Sequence, residues 1–130
     1  EAREMIEAKI AEIAAKRASD EDIMKLEEIM ERMEHDVKTG KGGTEADVDF
    51  HIVLAKCTGN RVLYAMMQSI SGATRVTRKK TWSIPGRSAI ALEDHKKIFQ
   101  AVKEKDPLKA RKCIQPSPGN PGSYRFWKDR

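Results

Sequence analysis

The sequence predicts an all-α fold, an antiparallel bundle of about six helices. Three observations predict it. Apolar residues recur at helical spacing through most of the chain, and no segment alternates with the period that a half-buried strand needs. The composition is 39% hydrophobic, 35% charged and only 5% aromatic, which suits solvent-washed amphipathic helices better than a β-sandwich. The interruptions are short runs such as "TGKGG", "TGN" and "SIPGRS", built from residues that end helices. A length of 130 residues fits one domain with one core.

The first helix is expected over residues 3 to 17, with Ile6, Ile10 and Ile13 on its stripe and Met5 and Ala14 beside them. "RASDED" breaks it. Ser19 followed by Asp22 reads as a capping-box variant that opens a second helix, with Ile23, Leu26, Met30, Met33 and Val37 in line to about Lys38. "TGKGG" stops that helix, because glycine turns the chain with positive φ at little cost. Thr44 is expected to cap a third helix, running to about Cys57. Asn60 caps a fourth, with Leu63, Met66, Met67, Ile70 and Ala73 as its inner face and the stripe fading in "RVTRKKTW". Pro85 and Gly86 make a loop, and a fifth helix follows from about Ser88 to Lys105, with Ala91, His95, Ile98 and Val102 in line. Asp106 and Pro107 fit the cap and first position of a short sixth helix that Pro116 closes. Residues 116–130 read as an irregular Pro/Gly-rich tail, unless Tyr124, Phe126 and Trp127 dock on the bundle. The expected division is therefore a helical domain over 1–115 followed by that tail.

The totals exclude several classes. The net charge of +5 permits an acidic partner, but the basic residues are interleaved with acids and form no compact basic-aromatic patch for nucleic acid. No apolar run approaches the roughly 18 residues of a membrane helix, and no signal-peptide pattern is present. Cys57 and Cys113 make no disulfide framework and read as small core residues. A reduced, cytoplasmic setting is the expectation. The chain opens at Glu1 inside a helical pattern, without an initiator Met, as a piece of a longer protein would.

Chemistry enters where polar residues take apolar positions. His35 lies off its helix's stripe and reads as solvated. His51 and His95 each lie on the inward stripe of a helix, and Asp47 precedes His51 by one helical turn. A carboxylate and an imidazole so spaced share a face and can grip one cation, with His95 closing from a facing helix. A charged Asp47–His51 pair is the bland reading, and either reading answers the cost of burying a carboxylate. A third makes Asp47 part of the Thr44 cap. An enzyme site is thinly supported, since a catalytic zinc needs an open position and a general base. "GKGGT" lacks P-loop spacing. "RVTRKK" is either a solvated helix end or the place where Arg75 or Arg78 turns inward to take a carboxylate in its fork.

Three blocks in order carry a family resemblance. "EAREMIEAKIAEIAAKRASDEDI", "ADVDFHIVLAKCTGN" and "LEDHKKIFQAVKEKDPLKARK" resemble the FCD domain, the C-terminal effector-binding domain of FadR-type GntR-family transcription regulators. The resemblance covers residues 1 to about 114. It implies a helical bundle that pairs into a homodimer, a small carboxylate effector, and a divalent metal held by one Asp and three His. Residue by residue, that metal site falls on Asp47, His51 and His95, while the third histidine's position is Ser117. Zn, Ni, Mn or Fe would suit imidazole and carboxylate ligands. Arg75 and Arg3 become effector-cavity candidates beside Arg78. DNA contact would belong to a winged-helix domain N-terminal to this chain. The alternatives are a metal-dependent helical-bundle enzyme and a plain helical interaction module.

Overall fold

A computed structural model describes residues 2–114. Among these residues the chain forms helices and no strand: α1 (Ala2–Arg17), α2 (Asp20–Lys38), α3 (Thr44–Cys57), α4 (Arg61–Ser83), α5 (Arg87–Lys103) and α6 (Pro107–Ile114). The expected tail, its three aromatic residues, Pro116 and Ser117 lie outside the described residues. None of the described helices is long and apolar enough to cross a membrane.

Local chemistry sets most boundaries. Ser19 Oγ accepts from the Asp22 amide at 3.1 Å, and the Asp22 carboxylate accepts from the Ser19 amide at 3.0 Å, which completes the capping box of α2. Asn60 Oδ1 accepts from the amides of Val62 and Leu63 and starts α4. Asp106 Oδ1 accepts from the Lys109 amide ahead of α6. Gly40 and Gly42 both take positive φ and turn the chain out of α2.

Several boundaries and faces differ from expectation. Gly43 occupies the cap position of α3 and offers no side-chain bond, so Thr44 is the first helical residue and not the cap. Helix α4 does not fade in "RVTRKKTW" but continues to Ser83, and α5 ends at Lys103 rather than Lys105. Met5 is 73% exposed, and the face α1 buries runs through Glu4, Glu7, Ala8, Ala11, Ala14 and Ala15 together with Ile10. The expected inner face of α4 also shifts. Met66 is 40% exposed and Ala73 is exposed, while Met67, Ser71, Arg78, Thr81 and Trp82 are buried. Met67 is expected there, with Leu63 and Ile70 packed beside it, but much of the face is polar, so hydrophobic periodicity does not find Ser71, Arg78 and Thr81.

Small residues let α1 sit at the centre of the bundle, packed against α3, α4, α5 and α6. Its four buried alanines allow close approach of the neighbouring helices. Helix α2 covers α3 and α5, with Leu26 and Met33 fully buried. The expected inward residues of α5, Ala91, His95, Ile98 and Val102, are all buried. Burial pushes the Cys57 thiol up to about 12, with the Asp22 charge adding to it, so this cysteine is a packed core group; Cys113 is only half-buried.

One tight contact fixes the end of α4. A Cβ placed on Gly43 would lie 2.7 to 2.9 Å from three atoms of the Trp82 ring. Gly43→Ala is therefore expected to lower stability by about 1–3 kcal/mol through overpacking, read as a drop in the urea midpoint with unchanged m-value. Gly43 has an ordinary negative φ, so a neutral substitution would mean that the indole yields freely.

Candidate functional site

The polar faces of α1, α3, α4 and α5 meet in one buried cluster. Its centre is Asp47, which is 0% exposed. Asp47 Oδ1 accepts from Arg78 Nη1 at 2.8 Å and lies 2.9 Å from His95 Nε2 and 3.2 Å from His51 Nε2. Its Oδ2 accepts from the Trp82 indole nitrogen at 2.9 Å. Asp47 is thus no part of a helix cap, and only its backbone amide bonds back to the Gly43 carbonyl.

Arg78 is 1% exposed and spread over three partners. Its Nε donates to Thr74 Oγ1 at 3.0 Å, its Nη1 to Asp47, and its Nη2 to Glu7 Oε1 at 3.1 Å. Thr74 is in turn held by the Ile70 carbonyl one helical turn back, which aims the guanidinium across the bundle. Glu7, also 1% exposed, faces His51 Nδ1 at 3.8 Å and Arg3 Nε at 3.4 Å. Phe50 walls the site, edge-on to both imidazoles.

Electrostatics follow from this geometry. Burial opposes ionisation of Asp47, yet the Arg78 and His95 charges and hydrogen bonds from both imidazoles hold its carboxyl well below the usual carboxylate range. Burial lowers the His51 pKa and outweighs its bond to Asp47, so His51 is neutral. For His95, burial is overcome by the Asp47 charge, the Asp47 bond and the Ala91 carbonyl, and its pKa rises. His95 then donates from both nitrogens, with Nδ1 2.7 Å from the Ala91 carbonyl. Within the cluster the Asp47 and Glu7 carboxylates thus face the guanidiniums of Arg78 and Arg3 and the His95 ring. Removing one partner from such a set typically costs about 3–5 kcal/mol, because a charge is left buried and alone.

The sequence candidates divide cleanly. Asp47, His51 and His95 come together, and one donor atom from each lies within 4.8 Å of the others. Arg78 turns inward onto them. Arg3 joins through Glu7, with its side chain 17% exposed. Arg75 does not join; it pairs with Glu45 at the surface, its side chain 51% exposed. It lines a cleft of about 650 Å³ with Lys41, Lys79 and Trp82, so Trp82 is a wall shared by cleft and cluster. His35 is exposed. Sequence reasoning missed Glu7 and Trp82. Glu7 shares a face with Ala8, Ala11 and Ala14, and reading that alanine stripe as the buried one would have found it.

The donor set fits a divalent ion. Both Nε2 atoms converge on Asp47 Oδ1; the His95 Nδ1 is held by the Ala91 carbonyl at 2.7 Å, an outer bond of the kind that orients metal-binding imidazoles, while the His51 Nδ1 faces Glu7 Oε1 at 3.8 Å, beyond bonding distance. Loading would have to displace the Nε2 protons and set a second cation beside Arg78.

Four helices of the bundle thus close on one buried cluster of charged and polar side chains. The chain belongs to the FCD domain family, whose match runs over residues 1–116. It is 30% identical over 120 residues to the Uxu operon regulator of Haemophilus influenzae, covering 88% of this chain and 45% of that protein. It is 28% identical over 107 residues to the galactonate operon transcriptional repressor of Escherichia coli, covering 82% and 47%. Its fold is similar to that of Streptococcus agalactiae GntR, with a TM-score of 0.75 at 28% identity over 87% of this chain and 50% of the other. The chain spans about half the length of the curated relatives it matches. Those relatives are named as regulators of transcription, and the family is a regulatory one, which removes the metal-dependent enzyme reading.

Proposed function

We propose that this domain senses a small carboxylate for a bacterial GntR-type regulator of the FadR kind. In this reading DNA is bound by a winged-helix domain outside this chain, and the setting is cytoplasmic. The observation that carries the proposal is Arg78, a guanidinium shut away from solvent between two carboxylates, on one of which two imidazoles converge. Arginine suits a carboxylate because its fork can bond both oxygens. Arg3 is the second cation near that place. Arg75 lines the outer cleft, where it supports capture at the surface more than contact inside. A relative named for the galactonate operon points to a hydroxylated acid as the first compound to try. The sensing unit is taken as residues 1–115.

Asp47, His51 and His95 would hold a divalent metal, with Zn, Ni, Mn and Fe as the candidates. When bound, the metal would supply positive charge for an oxygen of the ligand. The protein's own residues do the rest: Arg78 receives the carboxylate, Phe50 and Trp82 exclude water, and the Ala91 carbonyl fixes the His95 ring. Only a ligand that binds one arrangement of the bundle better than another can shift its population.

The closure of the cluster favours a second reading, a polar core with a purely structural role. Thermal unfolding with D-galactonate, citrate and lactate, each with and without Zn²⁺, Ni²⁺ or Mn²⁺, separates the two. A bound compound at a hundred times its Kd stabilises by about 2.7 kcal/mol. The sensing reading expects a saturable rise in Tm with at least one carboxylate, and a smaller one in His51→Ala if metal takes part. No response to any of these compounds would leave the structural reading.

Homodimerisation belongs to the same proposal. Val62, Met66, Ser69, Ala73 and Val76 are exposed on α4 at alternating four- and three-residue steps. Such spacing makes a seam for a second helix. Beside it, Ile6 and Met66 line an apolar groove of about 560 Å³. Met66→Glu is expected to halve the mass measured by light scattering at micromolar concentration while leaving the helical circular dichroism unchanged. Equal masses for variant and wild type would place the dimer face elsewhere or remove it.

A further inference from the structure

We propose that Glu7 is a built-in carboxylate that keeps the ligand's place: it holds Arg78 while the site is closed, and a small carboxylate binds by exchanging with it. The inference rests on the sensing reading above and names the group that the ligand must displace.

Glu7 is a costly residue to keep where it lies. It is 1% exposed on the alanine-lined face of α1, and a buried carboxylate is tolerated only with partners. Those partners are the site's own groups. One oxygen, Oε1, lies 3.1 Å from Arg78 Nη2 and 3.8 Å from His51 Nδ1. A ligand carboxylate received at Arg78 Nη2 from this side would compete for that same oxygen position.

Of the two carboxylates on Arg78, Glu7 is the weaker partner. Asp47 uses both oxygens, with an arginine and two imidazoles at one and an indole at the other. Glu7 bonds Arg78 through one oxygen only. Its Oε2 is buried without a hydrogen bond among the described residues and meets Arg3 Nε only at 3.4 Å. An incoming carboxylate with both oxygens hydrogen-bonded would escape the cost that Glu7 bears at Oε2. Asp47 would stay, because displacing it strands several donors at once.

The exchange has a mechanical consequence. Glu7 is rooted in α1, and α1 packs on α3, α4, α5 and α6. Expelling its side chain from Arg78 changes how α1 is held against all of them. Ligand binding would thereby be coupled to the position of the first helix through one ion pair that exists in one state and not the other.

Truncation gives a direct test. Glu7→Ala removes a CH2–COO⁻ fragment, which is acetate in size and charge, and leaves Arg78 facing the gap. Thermal unfolding of wild type, Glu7→Ala and Glu7→Gln is measured in sodium acetate and in sodium chloride of equal ionic strength. The expected result is a saturable rise in Tm of Glu7→Ala in acetate, absent in chloride. Wild type and the isosteric Glu7→Gln, whose gap is filled, gain no more from acetate than from chloride. An acetate response no larger than chloride's in Glu7→Ala, or one of equal size in wild type, overturns the inference. If Glu7→Ala does not fold in chloride, it is refolded from urea in both salts. Recovery in acetate alone is then the expected result, and failure in both overturns it. The carboxylate titrations of wild type stand apart: their failure removes the sensing reading, whereas an acetate-blind Glu7→Ala removes only the role of Glu7.

Discussion

The buried ion pair between Arg78 and Asp47 constrains the rest of this structure. A guanidinium and a carboxylate at 2.8 Å, both shut away from solvent, are tolerated only if the remaining donors and acceptors find partners. Four helices supply them. Helix α1 brings Glu7 to Arg78, α4 brings Thr74 and Trp82, α5 brings His95, and α3 brings His51 beside its own Asp47. The continuation of α4 to Ser83 follows from the same need, since a helix ending in the basic run would leave Trp82 unable to reach Asp47. Glycine at position 43 follows in turn, because the indole lies where a side chain would stand.

Replacing a buried ion pair by apolar residues of the same size is often neutral or stabilising by about 1–4 kcal/mol. A bundle of this size could therefore be closed more simply with leucine. The cluster is expensive architecture for stability alone, and it is the kind of group that a charged ligand can rearrange. That argument supports the sensing proposal independently of the relatives' names. It also explains why the cations differ in role. Arg75, half in solvent and paired with Glu45, contributes little to folding as an exposed pair, whereas Arg78 lies where loss of a partner strands a charge.

How much of this was legible in the sequence depends on which signal each residue gave. The helices and most caps were readable because Ser19, Asn60 and Asp106 act locally. Asp47, His51 and His95 were readable as a group because each is a polar residue on an otherwise apolar stripe, two of them a turn apart. Glu7 and Trp82 were not. Helix α1 buries Ile10 but leaves Ile6 and Ile13 at its flanks, and the rest of its contact surface is made mostly of alanines, which weigh little in a hydrophobic pattern. Helix α4 inverts the usual rule. Its inward residues include Ser71, Arg78 and Thr81 because they face the charge cluster, while Val62, Met66 and Val76 look outward. Periodicity reads polarity, so it found Met67, Leu63 and Ile70, which are buried or pack on the core, and missed Ser71, Arg78 and Thr81. The exposed apolar side that remains is the one proposed to meet a second copy.

A double-mutant cycle on folding stability tests the central claim most directly. Asp47→Asn, Arg78→Met and the double variant are unfolded in urea beside wild type. If these two residues are the mutual constraint described, their effects are far from additive, with a coupling of at least about 2 kcal/mol. Additivity within about 0.5 kcal/mol would mean that the pair does not organise the bundle, and the account built on it would be wrong.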